Sequence, residues 1–400
     1  GVRQSLAILA EQIALDIHEI PTGTPVFDWT VPREWRLREA HITAPDGRRI
    51  ADAAGHNLQL LNYSAPFRGR VGLEELKRHL FTLPAQPDLI PYRTSYYREQ
   101  WGFCLPHRLV ENLPAGEYEV VVDTDLFDGS LTYGELALAV ESAEEVLLST
   151  HCCHPSLAND NLSGMVVATA LAAHLAARQR RRLSYRFLFL PGTIGAITWL
   201  ATNRERPANI GHTLVLAGLG APGPFHYKKS RNGDAPIDRE VRRALARRGE
   251  SLEIEAFVPF GYDERQFNSP GIGLEAGCFS RTPYGRYPEY HTSADNLDLI
   301  RPETLAGSVE CLLAVVDGTA SRERPGNRPP EGEQLGRRGL YRLIGGDDAG
   351  RERELAILWM LNLGDGTHSL EDIAERSGIA SERLREATAA LVSADLLAPV

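Results

Sequence analysis

The order of apolar and polar positions changes character several times along the 400 residues. Residues 4–18 repeat apolar side chains at helical spacing, and the stretch IPTGTPVFDW then brings Pro and Gly, so a helix leading into an extended segment is predicted. From Trp35 to about Asp123, short alternating segments such as LREAHITA, RRIAD and EYEVVVD are separated by turn residues. This pattern predicts a small β-rich domain inserted after the N-terminal segment.

Between Leu131 and Gly318, continuous apolar strands alternate with helices. EEVLLST, YRFLFLPG and HTLVLAGL are typical of buried strands, whereas SGMVVATALAAHLAAR and GAITWLATN are typical of helices. Such an alternation indicates a mostly parallel sheet that is covered on both faces. The predicted fold class is therefore α/β, a mostly parallel sheet with helices on both faces, together with the inserted β-rich domain.

The C-terminal part begins after a stretch rich in Pro, Gly and charge, residues 319–335, which has the composition of a linker. Three helices are predicted beyond it, around ELAILWMLNLGD, from Ser369, and from Ser381 to Ala394, and they resemble a winged helix. We therefore predict four segments: 1–34 as the start of the α/β domain, 35–125 as the insertion, 126–325 as the α/β domain proper, and 336–400 as the winged-helix-like domain.

Composition and net charge indicate which kinds of molecule the protein is expected to bind. The formal net charge of −10 comes without an extended basic stripe, which argues against a nucleic-acid partner. The segment SERLREATAALV could be a DNA-reading helix, but its acids equal its bases, so docking or dimerisation is favoured and a homo-oligomer is compatible with the sequence.

The apolar runs and the cysteines indicate in which cellular compartment the protein is expected. No apolar run approaches the ~18 residues of a membrane span, and the N-terminus lacks a signal-peptide layout. Five irregularly spaced cysteines favour free thiols in a reducing compartment. Cys152 and Cys153 fall in a predicted buried strand, whose neighbouring side chains point to opposite faces and do not easily share one ion. A soluble, cytoplasmic protein without a membrane partner is expected.

Candidate metal ligands lie between Leu147 and Ala168, where LLSTHCCHPSLANDNLSGMVVA predicts a strand, a polar loop and a helix. His154 and Asp160 are six positions apart, and Asn159 and Asn161 flank the carboxylate. A lone histidine is usually an ordinary hydrogen-bonding residue. The polar cluster beside it, at the carboxyl end of a strand, instead favours a ligand site.

The motif HPSLANDNLSG, followed much later by EYHTSADNLDLI, resembles the co-catalytic zinc aminopeptidases, whose relatives include the zinc-dependent glutaminyl cyclases. The likeness is closest to a bacterial aminopeptidase-like subfamily with an inserted N-terminal domain and a C-terminal winged helix. It extends from about residue 24 to the end through VFDWTVPREW, IPYRTSYYREQWGFCL, LTYGEL, YKKSRNGD, GYDERQFNSPGI and TPYGRYPEYHTS. The resemblance implies a zinc-aminopeptidase-like sheet.

The resemblance also implies a ligand set. Asp160 matches the carboxylate that bridges two zinc ions, and His154 and His291 match the histidines of the two ions. Gly192 and Ala221, however, stand where carboxylates are expected. Two divalent ions that share only Asp160 would repel each other strongly, so at most one tightly bound zinc ion is predicted.

Several other residues are candidates for the missing functions. By resemblance, Asp263 matches an active-site aspartate, while Tyr290, in a Pro- and Gly-rich loop, could donate to a developing oxyanion. Replacement ligands could come from His151, His226 or Glu264. The structural alternatives are that Asp263 and Glu264 pair with Arg265 or cap a turn and that the tyrosines only pack. Two further groups could bind substrate or merely be structural, namely the basic residues Lys228, Lys229 and Arg231 and the aromatic residues Tyr92, Tyr96, Tyr97, Trp101 and Phe103.

The predicted function is zinc-dependent hydrolysis of an amide in a small-molecule or peptide substrate with a free amino terminus, at an altered metal site. The alternative is a catalytically degenerate member that binds a ligand or serves in assembly. Gly192 and Ala221 favour the alternative, and the retained His154, Asp160 and His291 oppose it. A DNA-binding regulator, which rests on the tail alone, is the weakest hypothesis.

Overall fold

The structure is a computed structural model that describes residues 1–96, 98–140, 144–321, 325–326, 335, 340 and 348–398. The chain divides into two compact units, Gly1–Val315 and Val316–Val400. Most of the predicted linker, as well as Tyr97 of the aromatic cluster, lies outside the described residues.

The first unit is built on an eight-stranded sheet. Its strands are β1 (Asp16–Pro21), β10 (Ser130–Leu138), β11 (Glu145–His151), β12 (Ser184–Leu190), β13 (Ile210–Leu216), β14 (Phe225–Lys228), β15 (Leu252–Glu255) and β16 (Ala276–Ser280).

Strand order in this sheet is β1-β10-β12-β11-β13-β16-β14-β15. The four central strands β12, β11, β13 and β16 are mutually parallel, whereas β1 and β10 join one side as antiparallel strands and β14 pairs antiparallel with β16. All seven residues of β12 are buried, because both faces of the sheet are covered. The predicted α/β class with a mostly parallel sheet is confirmed.

Several helices begin in the first unit, and Trp199 of the fifth is a fully buried member of the main core. They are α1 (Val2–Ala10), α2 (Leu73–Arg78), α3 (His107–Glu111), α4 (Gly164–Ala176), α5 (Ile194–Thr202), α6 (Pro236–Arg248), α7 (Asp263–Phe267) and α8 (Pro302–Ser321).

A second, four-stranded antiparallel sheet forms between β1 and β10 in the chain. Its strands are β4 (Glu34–Thr43), β5 (Arg49–Asp52), β6 (Phe67–Gly72) and β9 (Glu117–Phe127), and the short strands β2 (Pro25–Val26), β3 (Trp29–Thr30), β7 (Leu80–Phe81) and β8 (Phe103–Cys104) form two small ribbons. Because β1 and β10 pair with each other in the main sheet, this β-rich region is inserted between them.

The predicted helix over residues 4–18 is wrong at its C-terminal end. The helix ends at Ala10, and residues 16–21 form β1 instead. Ile17 and Ile20 lie opposite Gly134 and Leu131 of β10. Pairing with a neighbouring strand satisfies the backbone there and outweighs a weak local helical pattern.

The second unit contains α9 (Asp348–Leu363), α10 (Leu370–Ser377) and α11 (Ser381–Ser393), which confirms the three helices predicted for the tail. Ser369 caps α10, because its hydroxyl accepts the Asp372 N–H and the Asp372 carboxylate accepts the Ser369 N–H. Ile357, Met360 and Leu384 are buried in one apolar cluster. Among the described residues of both units, no helix is long and apolar enough to cross a membrane.

Candidate functional site

Asp160 lies in the loop between β11 and α4, at the carboxyl end of a central parallel strand. The backbone N–H groups of Asn159 and Asp160 both donate to the Asp295 carboxylate, at 2.6 and 3.1 Å. Tyr287 donates its hydroxyl to the same carboxylate at 2.9 Å. Asp295 therefore fixes the backbone that presents the Asp160 side chain.

Three imidazoles surround the Asp160 carboxylate. His151 Nε2 lies 2.9 Å from Oδ1, while His291 Nε2 and His154 Nδ1 lie 3.1 and 3.4 Å from Oδ2. Ligand atoms of His154, Asp160 and His291 all lie within 4.8 Å of one another. The fold thus brings together the three residues that the sequence proposes as metal ligands.

Burial and the neighbouring charged groups shift the pKa values of Asp160 and His154 in opposite directions. Burial alone would raise the pKa of Asp160, but His154 and the hydrogen bonds from His151 and His291 hold it well below its usual range. Burial lowers the pKa of His154 to about 4, and Asp160 offsets this only in part. At neutral pH the site therefore holds an anionic carboxylate and a neutral His154 imidazole with a lone pair for a cation.

Tyrosines enclose the histidines. Tyr290 stacks on His291 with ring centroids 3.9 Å apart, and Tyr262 stacks on His151 at 4.3 Å. The Tyr262 hydroxyl also lies 3.4 Å from His154 Nε2. Tyr262 directly precedes Asp263 and was missed in the sequence, where nothing but its place in GYDERQF marks it.

The loop that carries His291 is tied to the inserted region. The Tyr92 N–H donates to the His291 carbonyl at 2.7 Å, and Ile90 exchanges two hydrogen bonds with Ser293. The Tyr92 ring meets His154 and His291 edge-on, at centroid distances of 4.8 and 5.0 Å. His291 itself has a φ of 54°, a left-handed conformation that is uncommon outside glycine and is held here by these contacts.

A cavity of about 950 Å³ opens beside His151, Cys153 and His154. Another part of its lining is aromatic and comes from the inserted region: Trp35, Tyr63, Tyr92 and Tyr96. Trp101 and Phe103 of the predicted aromatic cluster are instead buried in the core of the β-rich region. The cluster is thus split between a core and a cavity wall.

Comparison with known proteins places the chain in a family. A family model described as a domain of unknown function (DUF4910) matches residues 1–321, and a winged helix-turn-helix model matches residues 324–399. The chain belongs to the first of these families. Its tail is the winged helix that the helical pattern predicts.

A protein of Clostridium acetobutylicum, provisionally named as a polysaccharide biosynthesis protein with an aminopeptidase-like domain, is 44% identical over 398 residues, which are 99% of this chain and 91% of the relative. The crystal structure of a provisionally named peptidase from Clostridium acetobutylicum matches with a TM-score of 0.82 at 43% identity, covering 100% of this chain and 91% of that one.

A zinc aminopeptidase from Bacillus subtilis matches with a TM-score of 0.57 at 16% identity, covering 80% of this chain and 89% of that one. A peptidase precursor from Shewanella amazonensis matches with a TM-score of 0.52 at 14% identity, over 80% and 88% of the two chains. These likenesses confirm the zinc-aminopeptidase fold that the motifs predict.

The two positions at which the resemblance expects carboxylates are apolar and enclosed in this DUF4910 member. A Cβ on Gly192 would lie 3.1 Å from Cys153 Sγ and 3.3 Å from the Tyr262 ring. Ala221 is buried, and its N–H donates to the Asn159 side-chain oxygen at 3.0 Å. Neither position offers a ligand.

Three other sequence candidates, Asp263, Glu264 and His226, make no contact with the Asp160 carboxylate among the described residues. Asp263 is fully buried, and its Oδ1 accepts the Thr193 N–H at 2.7 Å, next to Gly192. Its Oδ2 has no hydrogen-bond partner among the described residues, and burial raises its pKa to about 6. Asp263 therefore supports the loop of Gly192 and does not pair with Arg265.

Glu264 and His226 have partners of their own. Glu264 forms a buried ion pair with Lys228 at 2.5 Å. His226 Nε2 lies 3.1 Å from Arg286 Nη1 and 3.4 Å from the Glu255 carboxylate. Glu264 and His226 are therefore occupied by these partners and do not replace the missing metal ligands. Lys228 forms an ion pair within the protein.

Proposed function

We propose that the chain binds one zinc ion through His154, Asp160 and His291 and hydrolyses an amide bond of a small substrate with a free amino terminus. What supports this is the convergence of the three ligand atoms within 4.8 Å, beside a cavity that admits a small molecule. Two imidazoles and a carboxylate are a common zinc ligand set that leaves a coordination position open.

The donor set fits one ion better than two. Gly192 and Ala221 supply neither the extra ligands nor the negative charge that a second divalent ion needs. A neutral His154 is ready to coordinate without losing a proton, because its pKa is already lowered to about 4. Zinc in such a site supplies Lewis-acid polarisation of a carbonyl.

The chain's own residues would provide the remaining functions. Burial raises the pKa of Tyr290, so that its phenol stays protonated and can donate to a developing oxyanion. Asp263 is proposed as a positioning residue, acting through the Thr193 N–H on the loop of Gly192. The Trp35 and Tyr92 side of the cavity offers flat apolar faces to the body of a substrate.

The substrates to be tested are chosen from the proposed reaction and from the name of one relative. Aminoacyl anilides and short peptides test amino-terminal hydrolysis. N-acetylated amino sugars, which carry an amide but no free amino group, are included as a comparison class because a 44% identical relative carries a polysaccharide-biosynthesis name and an aminopeptidase-like domain.

Metal analysis and hydrolysis assays on the full-length chain test the proposal. We expect about one equivalent of zinc, lost in Asp160→Ala and His291→Ala together with hydrolysis. His226→Ala is the matched control, since this buried histidine has partners outside the set and should keep its zinc. A protein without zinc, or with zinc unaffected by Asp160→Ala, would refute the proposal, and zinc binding without hydrolysis of any panel member would favour a ligand-binding role.

A further inference from the structure

We propose that His151, Cys153 and His154 form a second metal site, a thiolate–imidazole set that takes a divalent ion softer than the zinc of the carboxylate set, such as Cd²⁺, and that can be probed with Co²⁺. It shares only His154 with the proposed zinc set and does not depend on any hydrolytic activity. Cys153 thereby becomes a ligand that the motif comparison does not supply.

Geometry carries the assignment. Ligand atoms of His151, Cys153 and His154 all lie within 4.8 Å of one another. Cys153 Sγ lies 3.6 Å from His154 Nδ1 and 3.9 Å from His154 Nε2. All three residues also line the large cavity, which gives an ion a path of entry.

The Cys153 sulfur lies close to residue 192, which carries no side chain. Cys153 Sγ lies 3.1 Å from the point where a Cβ on Gly192 would stand, so the sulfur borders the space next to the absent carboxylate. A thiolate donates one negative charge, as a carboxylate does, but it selects softer ions. Coordination releases the thiol proton to solvent, so the bound ion gains one anionic ligand.

The adjacent cysteine does not take part. Cys152 belongs to neither of the ligand groups found among the described residues. Strand β11 ends at His151, so both cysteines lie just beyond the strand in which the sequence pattern placed them. Their side chains nevertheless diverge as expected, since the Cys152 thiol approaches Ser5 and that of Cys153 approaches His154.

The two sets compete for an ion. His154 is common to both, and His151 Nε2 is engaged with Asp160 Oδ1 at 2.9 Å. An ion in the thiolate set therefore takes two imidazoles away from Asp160. Softer ions are expected to favour Cys153, and harder ions the carboxylate.

Cobalt titration of the metal-free full-length protein tests the assignment. We expect a near-ultraviolet thiolate-to-cobalt charge-transfer band in the wild type, its loss in Cys153→Ser, and its retention in the matched control Cys152→Ser. Asp160→Asn should keep the band while zinc held by the carboxylate set is lost, which separates this proposal from the proposed function.

Three results would overturn the assignment: no cobalt binding, cobalt binding without a charge-transfer band in the wild type, or a band of unchanged intensity in Cys153→Ser. Should Cys153→Ser fail to fold by circular dichroism, alkylation of the wild type replaces it. Cd²⁺ should then slow modification of Cys153 but not that of Cys152, and equal rates with and without Cd²⁺ would count against the site.

Discussion

The His291 Nε2 atom lies 3.1 Å from Oδ2 of Asp160, although 131 positions separate the two residues in the chain. The other carboxylate oxygen meets His151, which is only nine positions away. Asp160 thus contacts both His151, at the end of the preceding strand, and His291, in a loop that is distant in the sequence. Any cation held by this carboxylate depends on both segments being in place.

Restoring both absent carboxylates should change the metal stoichiometry. In the double variant Gly192→Glu with Ala221→Asp, we expect zinc to rise from about one to about two equivalents, because each ion regains a ligand and a compensating charge. A glutamate base typically contributes 10²–10⁴-fold to rate, so hydrolysis of aminoacyl anilides should rise by about that range.

A side chain at residue 192 has little space, which affects the folding of the double variant. A new Cβ meets the Tyr262 ring at 3.3 Å, so adding Tyr262→Leu should improve folding of the double variant. Gly192→Gln with Ala221→Asn is the uncharged control of similar volume and should stay at one equivalent. An unchanged zinc content in the folded charged variant would contradict the assigned ligand positions.

Asp263 should make stability depend on pH. Its pKa is raised from 3.8 to about 6 by burial, so the folded state holds the proton more tightly than the unfolded state. This contribution is fully present below pH 3.8 and is lost as the pH rises through 6, a change of up to about 3 kcal/mol. Asp263→Asn keeps an acceptor for Thr193 but does not titrate. Relative to wild type, it should gain thermal stability between pH 4.5 and 7.5, whereas a constant difference would contradict the prediction.

Removing one member of the Lys228–Glu264 pair should destabilise the first unit strongly. Their side chains are 6% and 1% exposed, so Glu264→Gln leaves a buried ammonium group at a cost of roughly 3–5 kcal/mol. Lys228→Met combined with Glu264→Gln should recover part of this loss. The control is Glu74→Gln, whose partner Lys77 is 44% exposed and whose effect should stay below about 1 kcal/mol. Equal effects in chemical unfolding would contradict the buried-pair interpretation.

The winged helix should bind duplex DNA only weakly. On α11, Arg383 pairs with Glu386 at 2.8 Å and Arg385 lies 3.8 Å from Glu371, so these bases are partly neutralised within the unit. Fluorescence anisotropy at physiological salt should give a dissociation constant in or above the non-specific range of about 10⁻⁴–10⁻⁶ M. Tighter, sequence-dependent binding that is lost in Arg383→Ala would show that this helix reads DNA.

The sequence predicts β11, β12 and β13 of the main sheet, because each contains a run of apolar residues that can be recognised locally. The helix over residues 4–18 is overextended, since the pairing of Ile17 with β10 is not visible locally. His154 and Asp160 stand out because they belong to a polar cluster at the end of a predicted strand, whereas only the motif resemblance singles out His291. Asp295 and Tyr262 escape notice, because their roles arise only when remote loops meet.

The bond from the Tyr92 N–H to the His291 carbonyl has a consequence for how this family can change over time. A histidine held in an uncommon backbone conformation by a segment almost two hundred positions earlier is not inherited as an independent unit. Recombination that exchanges the insertion without the loop of His291 would leave the motif sequence unchanged. The hydrogen bond that holds the backbone of His291 would nevertheless be lost. We expect hybrid chains to tolerate such exchanges only when both segments come from the same parent.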